Sequence, residues 1–149
     1  MLKSLFMFFS LLGACSAAYA DTDTPPAVDH ISIVQTSLVP SQYEATHAQG
    51  YFTIRNADGV DHLLNGISSP QCTSIVAHHT NQEDTSLTND LFTHLVLPHN
   101  SEMIFPNGSY HFICLGLKAP LVANQKIPFT FNILNGPSVT VSFNVDMKK

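Results

Sequence analysis

The C-terminal part of the chain alternates apolar and polar side chains with a period of two. In residues 127–133 and again in residues 139–145, every second side chain is apolar. Successive side chains of a strand point to opposite faces, so this alternation is typical of strands with one buried face. Asn135-Gly136-Pro137 supplies turn residues between the two runs. The sequence therefore predicts a β-hairpin with one face in a core.

Strand-like segments also occupy most of the remaining chain. They lie at residues 30–35, 50–55, 62–67, 73–78, 92–97, 102–105 and 110–115. Turn residues separate these segments, and no window of helical length shows a clear 3.6-residue period. The expected fold class is all-β, a β-sandwich or Greek-key barrel of about seven to nine strands.

The N-terminal segment has the features of an export signal. Lys3 precedes an apolar run from Leu5 to Ala14, and Ala18-Tyr19-Ala20 provides a cleavage pattern. The apolar run is too short to anchor the chain across a bilayer. We expect a signal peptide over residues 1–20, a flexible Asp/Thr/Pro-rich leader over residues 21–28, and a single domain over residues 29–149 of an exported, periplasmic protein.

A second type of processing fits the same segment. Leu12-Gly13-Ala14-Cys15 resembles a bacterial lipoprotein box, and its use would leave a lipidated Cys15 as the first residue. Such a lipid would tether the domain to a membrane without changing its fold. Soluble release after Ala20 and lipidation of Cys15 therefore remain as alternatives.

The charge of the exported part excludes some partners. Without Lys3, five basic residues face eleven acidic ones, which gives a net charge of −6 with neutral histidines. Nucleic acid and anionic membrane surfaces are not expected to bind such a protein. Between Arg55 and Lys118 there are six acidic residues, six histidines and no basic residue. This bias favours a bound cation over a bound anion, although a general scarcity of basic residues explains it equally well.

Two histidines are predicted to lie on one type of strand face. If Phe112 and Cys114 are in the core, His111 faces outward or toward the end of the sandwich. In "SIVAHHT", if Ile75 and Ala77 are in the core, the same argument turns His78 away from the core, whereas His79 does not point away from it. His78 and His111 could thus form part of a site for copper or zinc, which imidazole binds well. The alternative is that they are two exposed histidines on unrelated strands.

Several longer motifs resemble the periplasmic copper chaperones of the PCuAC family. These motifs are "GYFTIRN" with its Asp/Gly turn, "SSPQCTSIVAH", and "NGSYHFICLGLKAPL" with its Gly-Leu-Lys-x-Pro-Leu ending. The order and spacing of the motifs agree with the family from about residue 31 to the end. The resemblance implies a cupredoxin-like β-sandwich that carries Cu(I) and helps to assemble the copper centre of cytochrome oxidase.

The chain departs from the metal motif of that family. The family spaces its ligands as His, ten residues, Met, twenty-one residues, His, one residue, Met. Counting from His78, these positions are Asn89, His111 and Ile113, so both histidines are present and both methionines are replaced. A site without thioethers should bind Cu(I) more weakly and tolerate Cu(II) or Zn(II) better.

Other side chains are candidates for the missing ligands. Asn89 offers an amide oxygen, Met103 is one of two methionines in the exported part, and His79, His94 and His99 offer imidazoles. Packing in the core is the more natural role for Met103. The two cysteines of the exported part, Cys72 and Cys114, are in an oxidising compartment and could form a disulfide, although the sequence does not show that they meet.

Two classes of function follow. The first is a copper carrier that passes Cu(I) or Cu(II) by ligand exchange to a copper-accepting protein, such as an oxidase subunit or an assembly factor. Its purpose would be cytochrome oxidase assembly or periplasmic copper homeostasis. The second is a protein-interaction module that has lost metal transfer, which the two missing methionines favour. No Gly-x-Ser-x-Gly or His-Glu-x-x-His motif is present, so the sequence does not predict an enzyme.

Overall fold

The computed structural model describes residues 30–80 and 91–147, and the described part is all-β. The nine strands are β1 (Ile31–Pro40), β2 (Ala48–Asn56), β3 (His62–Ser68), β4 (Ser74–His79), β5 (Leu95–Leu97), β6 (Ser101–Phe105), β7 (Tyr110–Leu115), β8 (Lys126–Ile133) and β9 (Val139–Val145). The predicted all-β class is confirmed. The expected signal peptide, the leader and Cys15 lie outside the described residues.

The nine strands form one continuous sheet that is folded onto itself. The strand order is β4-β7-β2-β1-β9-β8-β3-β5, and β6 pairs with β2 beside β7. Every pairing is antiparallel except that of β1 with β9, where Ser37 and Leu38 are the partners of Asn144 and Val145. This parallel pair connects the half that contains β2, β4 and β7 to the half that contains β3, β8 and β9. The order places β4 at one edge of the sheet.

A bulge in β1 lies directly before the residues that pair with β9. The register of β1 against β2 shifts between Val34 and Ser37, and Gln35 has a φ of 53° in the left-handed region. The Oγ1 of Thr53, which is buried on β2, donates a hydrogen bond of 2.8 Å to Oε1 of Gln35. The Oγ1 of Thr36 donates to the carbonyl of Ser142 on β9. An extra residue bends a strand and increases its twist, so β1 can leave β2 and reach β9.

Phenylalanine rings fill the space between the two halves of the sheet. Phe52 and Phe112 come from one half, and Phe129, Phe131 and Phe143 come from the other; all five side chains are buried. The ring centroids of Phe112 and Phe129 are 4.8 Å apart, and those of Phe52 and Phe131 are 5.1 Å apart. Aromatic pairs at such distances contribute about 0.5–1.5 kcal/mol each beyond the burial of their area. The alternation in β8 and β9 therefore supplies three of these five rings.

The predicted strand over residues 92–97 is wrong in its first half. Leu91–Thr93 forms a 3-10 turn, and the strand is limited to Leu95–Leu97. Phe92 and Leu95 are both buried although they are three residues apart. A strand would turn these two side chains to opposite faces, whereas a helical turn brings them to the same side. No helix in the described ranges is long and apolar enough to cross a membrane.

The ring of Phe112 packs directly over the backbone of Gly50 on β2. A Cβ atom on this residue would lie 2.0 Å from Cζ of Phe112. Gly50 is also the register partner of Phe112, the residue that follows His111 in β7. A side chain at position 50 would therefore displace β7 or its ring.

We expect Gly50→Ala to lower the free energy of unfolding by about 1–3 kcal/mol, since the added methyl group must push the Phe112 ring aside. Urea denaturation followed by circular dichroism measures the change. Gly59→Ala is the matched control, because a Cβ there would have no atom within 4 Å. Equal stabilities of the two variants would contradict this account of the Phe112 packing.

Candidate metal centre

His78 and His111 lie directly opposite each other in the structure. They are register partners in the antiparallel pairing of β4 with β7. Nδ1 of His78 is 3.3 Å from Nε2 of His111, and the two ring centroids are 5.1 Å apart. Residues opposite each other in an antiparallel pair point to the same face, which brings the two imidazoles together. Of the two alternatives that the sequence allows, the structure therefore has the one in which His78 and His111 lie side by side.

His111 is buried, not exposed. Its neighbours Phe112 and Cys114 are in the core as predicted, and His111 points to the other face of the sheet. Only 1% of its surface is accessible, because the ring of Tyr51 on β2 packs beside it with centroids 5.3 Å apart and His78 lies opposite. The expectation that His111 faces outward is therefore wrong with respect to its exposure. Tyr51, itself buried, comes from a neighbouring strand.

The backbone fixes which nitrogen of His111 carries the proton. Nδ1 of His111 is 2.9 Å from the carbonyl oxygen of Ser109, which can only accept a hydrogen bond. The proton of the neutral ring is therefore on Nδ1, and the lone pair of Nε2 faces His78. Burial lowers the pKa of His111, while the hydrogen bond to Ser109 acts in the opposite direction. A neutral imidazole with a lone pair aimed at a second imidazole is the form that binds metals.

The distance between the two nitrogens fits an ion with two imidazole ligands. Nitrogens that each lie about 2.0 Å from an ion are about 3.3 Å apart at a tetrahedral angle and about 4 Å apart across a linear ion. The distance between His78 and His111 is 3.3 Å. Small rotations of the rings would thus accommodate either geometry. In the metal-free pair, Nδ1–H of His78 donates a hydrogen bond to Nε2 of His111.

Besides the two imidazoles, this face carries the phenol of Tyr51, an apolar side chain and an amide side chain. Ile113 follows on the same face of β7, and its partners are Val76 on β4 and Gln49 on β2. Ile113 is partly buried and has no ligand atom. Oε1 of Gln49 accepts a hydrogen bond from the hydroxyl of Tyr51. Asn89, the other position at which the family motif has methionine, lies outside the described residues.

The structure places the other candidate ligands elsewhere. Met103 is the partner of Ile54 and packs against the core cluster, on the face opposite to that of His111. His79 is the partner of Tyr110, and the two rings are 4.5 Å apart. His94 is exposed, and its Nδ1 is 2.9 Å from Oγ1 of Thr93. Across residues 30–80 and 91–147, no group of three or more His, Cys, Asp or Glu side chains could hold one ion.

Two of the acidic residues between Arg55 and Lys118 pair with two of the histidines in the same stretch. Oδ2 of Asp58 is 2.9 Å from Nε2 of His62, and Oδ1 of Asp61 is 2.7 Å from Nδ1 of His99. The side-chain hydrogen bond with His62 lowers the pKa of Asp58, and hydrogen bonds from the backbone and ring of His99 lower the pKa of Asp61. The first pair connects the β2–β3 turn to the start of β3, and the second connects it to the turn between β5 and β6. The bias in composition is therefore distributed over several sites and does not indicate a single cation.

Cys72 and Cys114 form a disulfide in the structure, with Cα atoms 5.4 Å apart. Cys72 precedes β4, and Cys114 lies within β7, three residues after His111. The sequence alone leaves this pairing open, because it does not show that the two residues meet.

Sequence reasoning missed two parts of the candidate site, the ring of Tyr51 and the carbonyl of Ser109. No spacing rule connects a β2 aromatic residue to a β7 histidine.

We expect the metal-free protein to show one fixed tautomer of His111. Because the carbonyl of Ser109 accepts a hydrogen bond, ¹⁵N-edited NMR of the imidazoles should give a protonated Nδ1 and an unprotonated Nε2 for this residue. The same sample in urea is the control, since an exposed imidazole is free to exchange between tautomers. Protonation of Nε2 of His111 in the folded protein would contradict the assigned hydrogen bond.

Solved structures with a similar fold include copper-binding domains. The chain superposes on the copper-bound PCuAC domain from PmoF2 with a TM-score of 0.65 and 19% identity, covering 80% of this chain and 94% of that one. The apo PCuAC domain from PmoF1 gives a TM-score of 0.66 with 16% identity, covering 80% and 95%. The solution structure of CuI-DR1885 from Deinococcus radiodurans gives 0.59 with 19% identity, covering 82% and 78%. At these identities the likeness shows the fold, which is the cupredoxin-like fold that the family resemblance implies.

The family of the chain follows from the family-model comparison. No curated protein matches the chain. The family model described as "Putative lipoprotein LpqE-like" matches residues 28–145, which include every described strand. The chain therefore belongs to the LpqE-like family.

Proposed function

We propose that this protein is an exported copper carrier that binds its ion between His78 and His111. The observation that carries the proposal is the pair of imidazole nitrogens 3.3 Å apart, one of them with a fixed lone pair. The shared fold supports it, since two of the similar structures are named as copper-bound or Cu(I)-bound domains. In this proposal, copper is the cargo of a carrier and not the cofactor of an enzyme.

The donor set determines which forms of copper the site accepts. Two imidazoles are borderline ligands that suit Cu(I) and Cu(II), and they also suit Zn(II). Ile113 provides no thioether, so the selectivity for Cu(I) should be lower than at a site that includes methionines. Water, or a ligand from outside the described residues, would complete the coordination of Cu(II).

The two ligands differ in how easily they can release the ion. His111 is buried beside Tyr51 and bonded to the carbonyl of Ser109, so its ring has little freedom to move. His78 is partly exposed and lies near the end of the edge strand β4. An incoming ligand of an acceptor protein would displace His78 first and His111 second. This order allows an ion to pass between proteins without being released into water.

The acceptor would be a copper-requiring protein on the outer side of the membrane, such as an oxidase subunit or an assembly factor. The export signal that we expect over residues 1–20 would place the carrier in the periplasm, and a lipid on Cys15 would keep it close to a membrane-bound acceptor. Mass spectrometry of the mature N-terminus distinguishes a lipidated Cys15 from cleavage after Ala20.

A protein-interaction module without metal transfer is the alternative function. It is favoured by the replacement of one family methionine position by Ile113 and of the other by Asn89. A module of this kind would not bind copper above the background of its surface histidines. The titration described next distinguishes the two functions.

We expect the wild-type protein to bind one Cu(I) in competition with a chelator, and His78→Ala or His111→Ala to reduce the affinity by more than about tenfold, which corresponds to 1.4 kcal/mol. Each substitution removes one of two ligands. His99→Ala is the control, because this exposed imidazole pairs with Asp61 and not with the candidate site. If the wild type and all three variants bind equally weakly, the carrier function is wrong.

We expect Ile113→Met to increase the affinity for Cu(I) more than the affinity for Zn(II). The new side chain would start two residues after His111 on the same strand face and bring a soft sulfur to the pair. Ile113→Leu is the matched control, since it has a similar volume and no sulfur. Competitive titrations with each ion measure the effect, and an equal response of the Met and Leu variants would argue against copper binding at this face.

A further inference from the structure

We propose that the Cys72–Cys114 disulfide is a positioning element of the metal site. In this proposal, the disulfide keeps the edge strand β4 in the register that places His78 opposite His111. The proposal rests on the proposed copper site for its functional meaning, but its structural part can be tested on the metal-free protein.

The disulfide lies at the end of the β4–β7 pairing that is opposite to the imidazoles. Cys114 is the register partner of Ile75, and three pairs further along the same ladder His111 is the partner of His78. The disulfide attaches Cys72, two residues before β4, to Cys114, the next-to-last residue of β7. A covalent bond at one end of a short ladder restricts how far the other end can shift.

Hydrogen bonds around the disulfide form a small anchored region. The amide of Thr73 donates to the carbonyl of Leu115 at 2.8 Å, and its Oγ1 donates to the carbonyl of Gly116 at 3.0 Å. The amide of Lys118 donates to the carbonyl of Gln71 at 3.0 Å. Gly116 has a φ of 62°, and a Cβ atom there would lie 2.4 Å from Oγ1 of Thr73. The close approach of these two segments therefore requires glycine.

The side chains of β4 specify its register only weakly. β7 is the strand that pairs with β4 in the described sheet, and of the β4 residues only the small Ala77 is fully buried. Ile75 packs against the core cluster and Val76 points to the other face, but both are only partly buried, so the difference in burial between the two faces is small. Register is poorly defined when neither face is strongly preferred, and a slip of one residue turns every side chain to the other face. Such a slip would remove His78 from His111, so the anchor has a specific role here.

The burial of the two sulfurs indicates a permanent connection and not a redox switch. Cys114 is fully buried and Cys72 is 8% exposed. Thiol–disulfide exchange requires access of an attacking thiolate to one of the sulfurs. We therefore expect the disulfide to remain closed throughout a cycle of copper binding and release.

The double variant Cys72→Ala/Cys114→Ala tests the proposal, because it removes the connection without leaving a thiol that could bind copper. We expect its Cu(I) affinity to fall at least about tenfold. We also expect the metal-free variant to lose the nuclear Overhauser contacts between the rings of His78 and His111, and the amides of β4 to exchange faster with solvent.

The control is Leu97→Ala, a buried position on β5, which lies at the other end of the strand order. A core truncation and the loss of a disulfide destabilise proteins to a similar extent. The control should therefore reproduce the loss of stability while retaining the ring contacts and the affinity. If the double variant does not fold, Cys72→Ala/Cys114→Val fills the core position and takes its place.

The outcomes separate the two proposals. Unchanged ring contacts and affinity in the disulfide variant would overturn the positioning role, and so would equal losses in Leu97→Ala. If the wild type fails to bind copper but the ring contacts are lost only in the disulfide variant, the copper function is wrong and the positioning of the two imidazoles is upheld.

Discussion

The pairing of β4 with β7 is the interaction on which the candidate site depends. Six residue pairs connect the strands from Ser74–Leu115 to His79–Tyr110, and His78 meets His111 in the fifth of them. The distance between the two imidazoles is therefore set by the register of this pairing and not by either strand alone. β7 is held firmly, because Phe112 is inserted into the core and packs over Gly50 of β2. β4 is an edge strand, and the geometry of the pair therefore depends on what fixes β4 to β7.

The two faces of β7 contact different parts of the protein. Phe112 and Cys114 point into the core, where rings from both halves of the sheet pack together and the disulfide is formed. His111 points to the other face, and Tyr51 covers it there. The strand thus places the candidate ligand His111 directly next to a residue of the rigid core. A buried ligand on such a strand is held in one orientation, and preorganisation of this kind is what a defined coordination geometry requires.

Much of the fold followed from the sequence because period-two patterns identify strands locally. The hairpin of β8 and β9 agreed with its alternation, and parity along each strand correctly assigned His78 and His111 to matching faces. Parity failed at Phe92 and Leu95, where a 3-10 turn replaced the start of a strand. The burial of His111 could not be predicted, because it is caused by Tyr51, which is distant in the chain. Local patterns indicate the direction of a side chain, whereas its exposure depends on which strand becomes the neighbour.

The absence of a thioether at position 113 and the unequal burial of the two imidazoles would together determine how the proposed carrier holds and releases its ion. A carrier must hold its ion firmly enough to transport it and weakly enough to give it up. Additional soft ligands would strengthen the binding of Cu(I), but Ile113 contributes none. In the proposed carrier, which has only two imidazoles, retention would depend on the buried His111, and release would depend on the partly exposed His78 at the sheet edge. The asymmetry between the two rings would then provide a direction of transfer that four equivalent ligands would not.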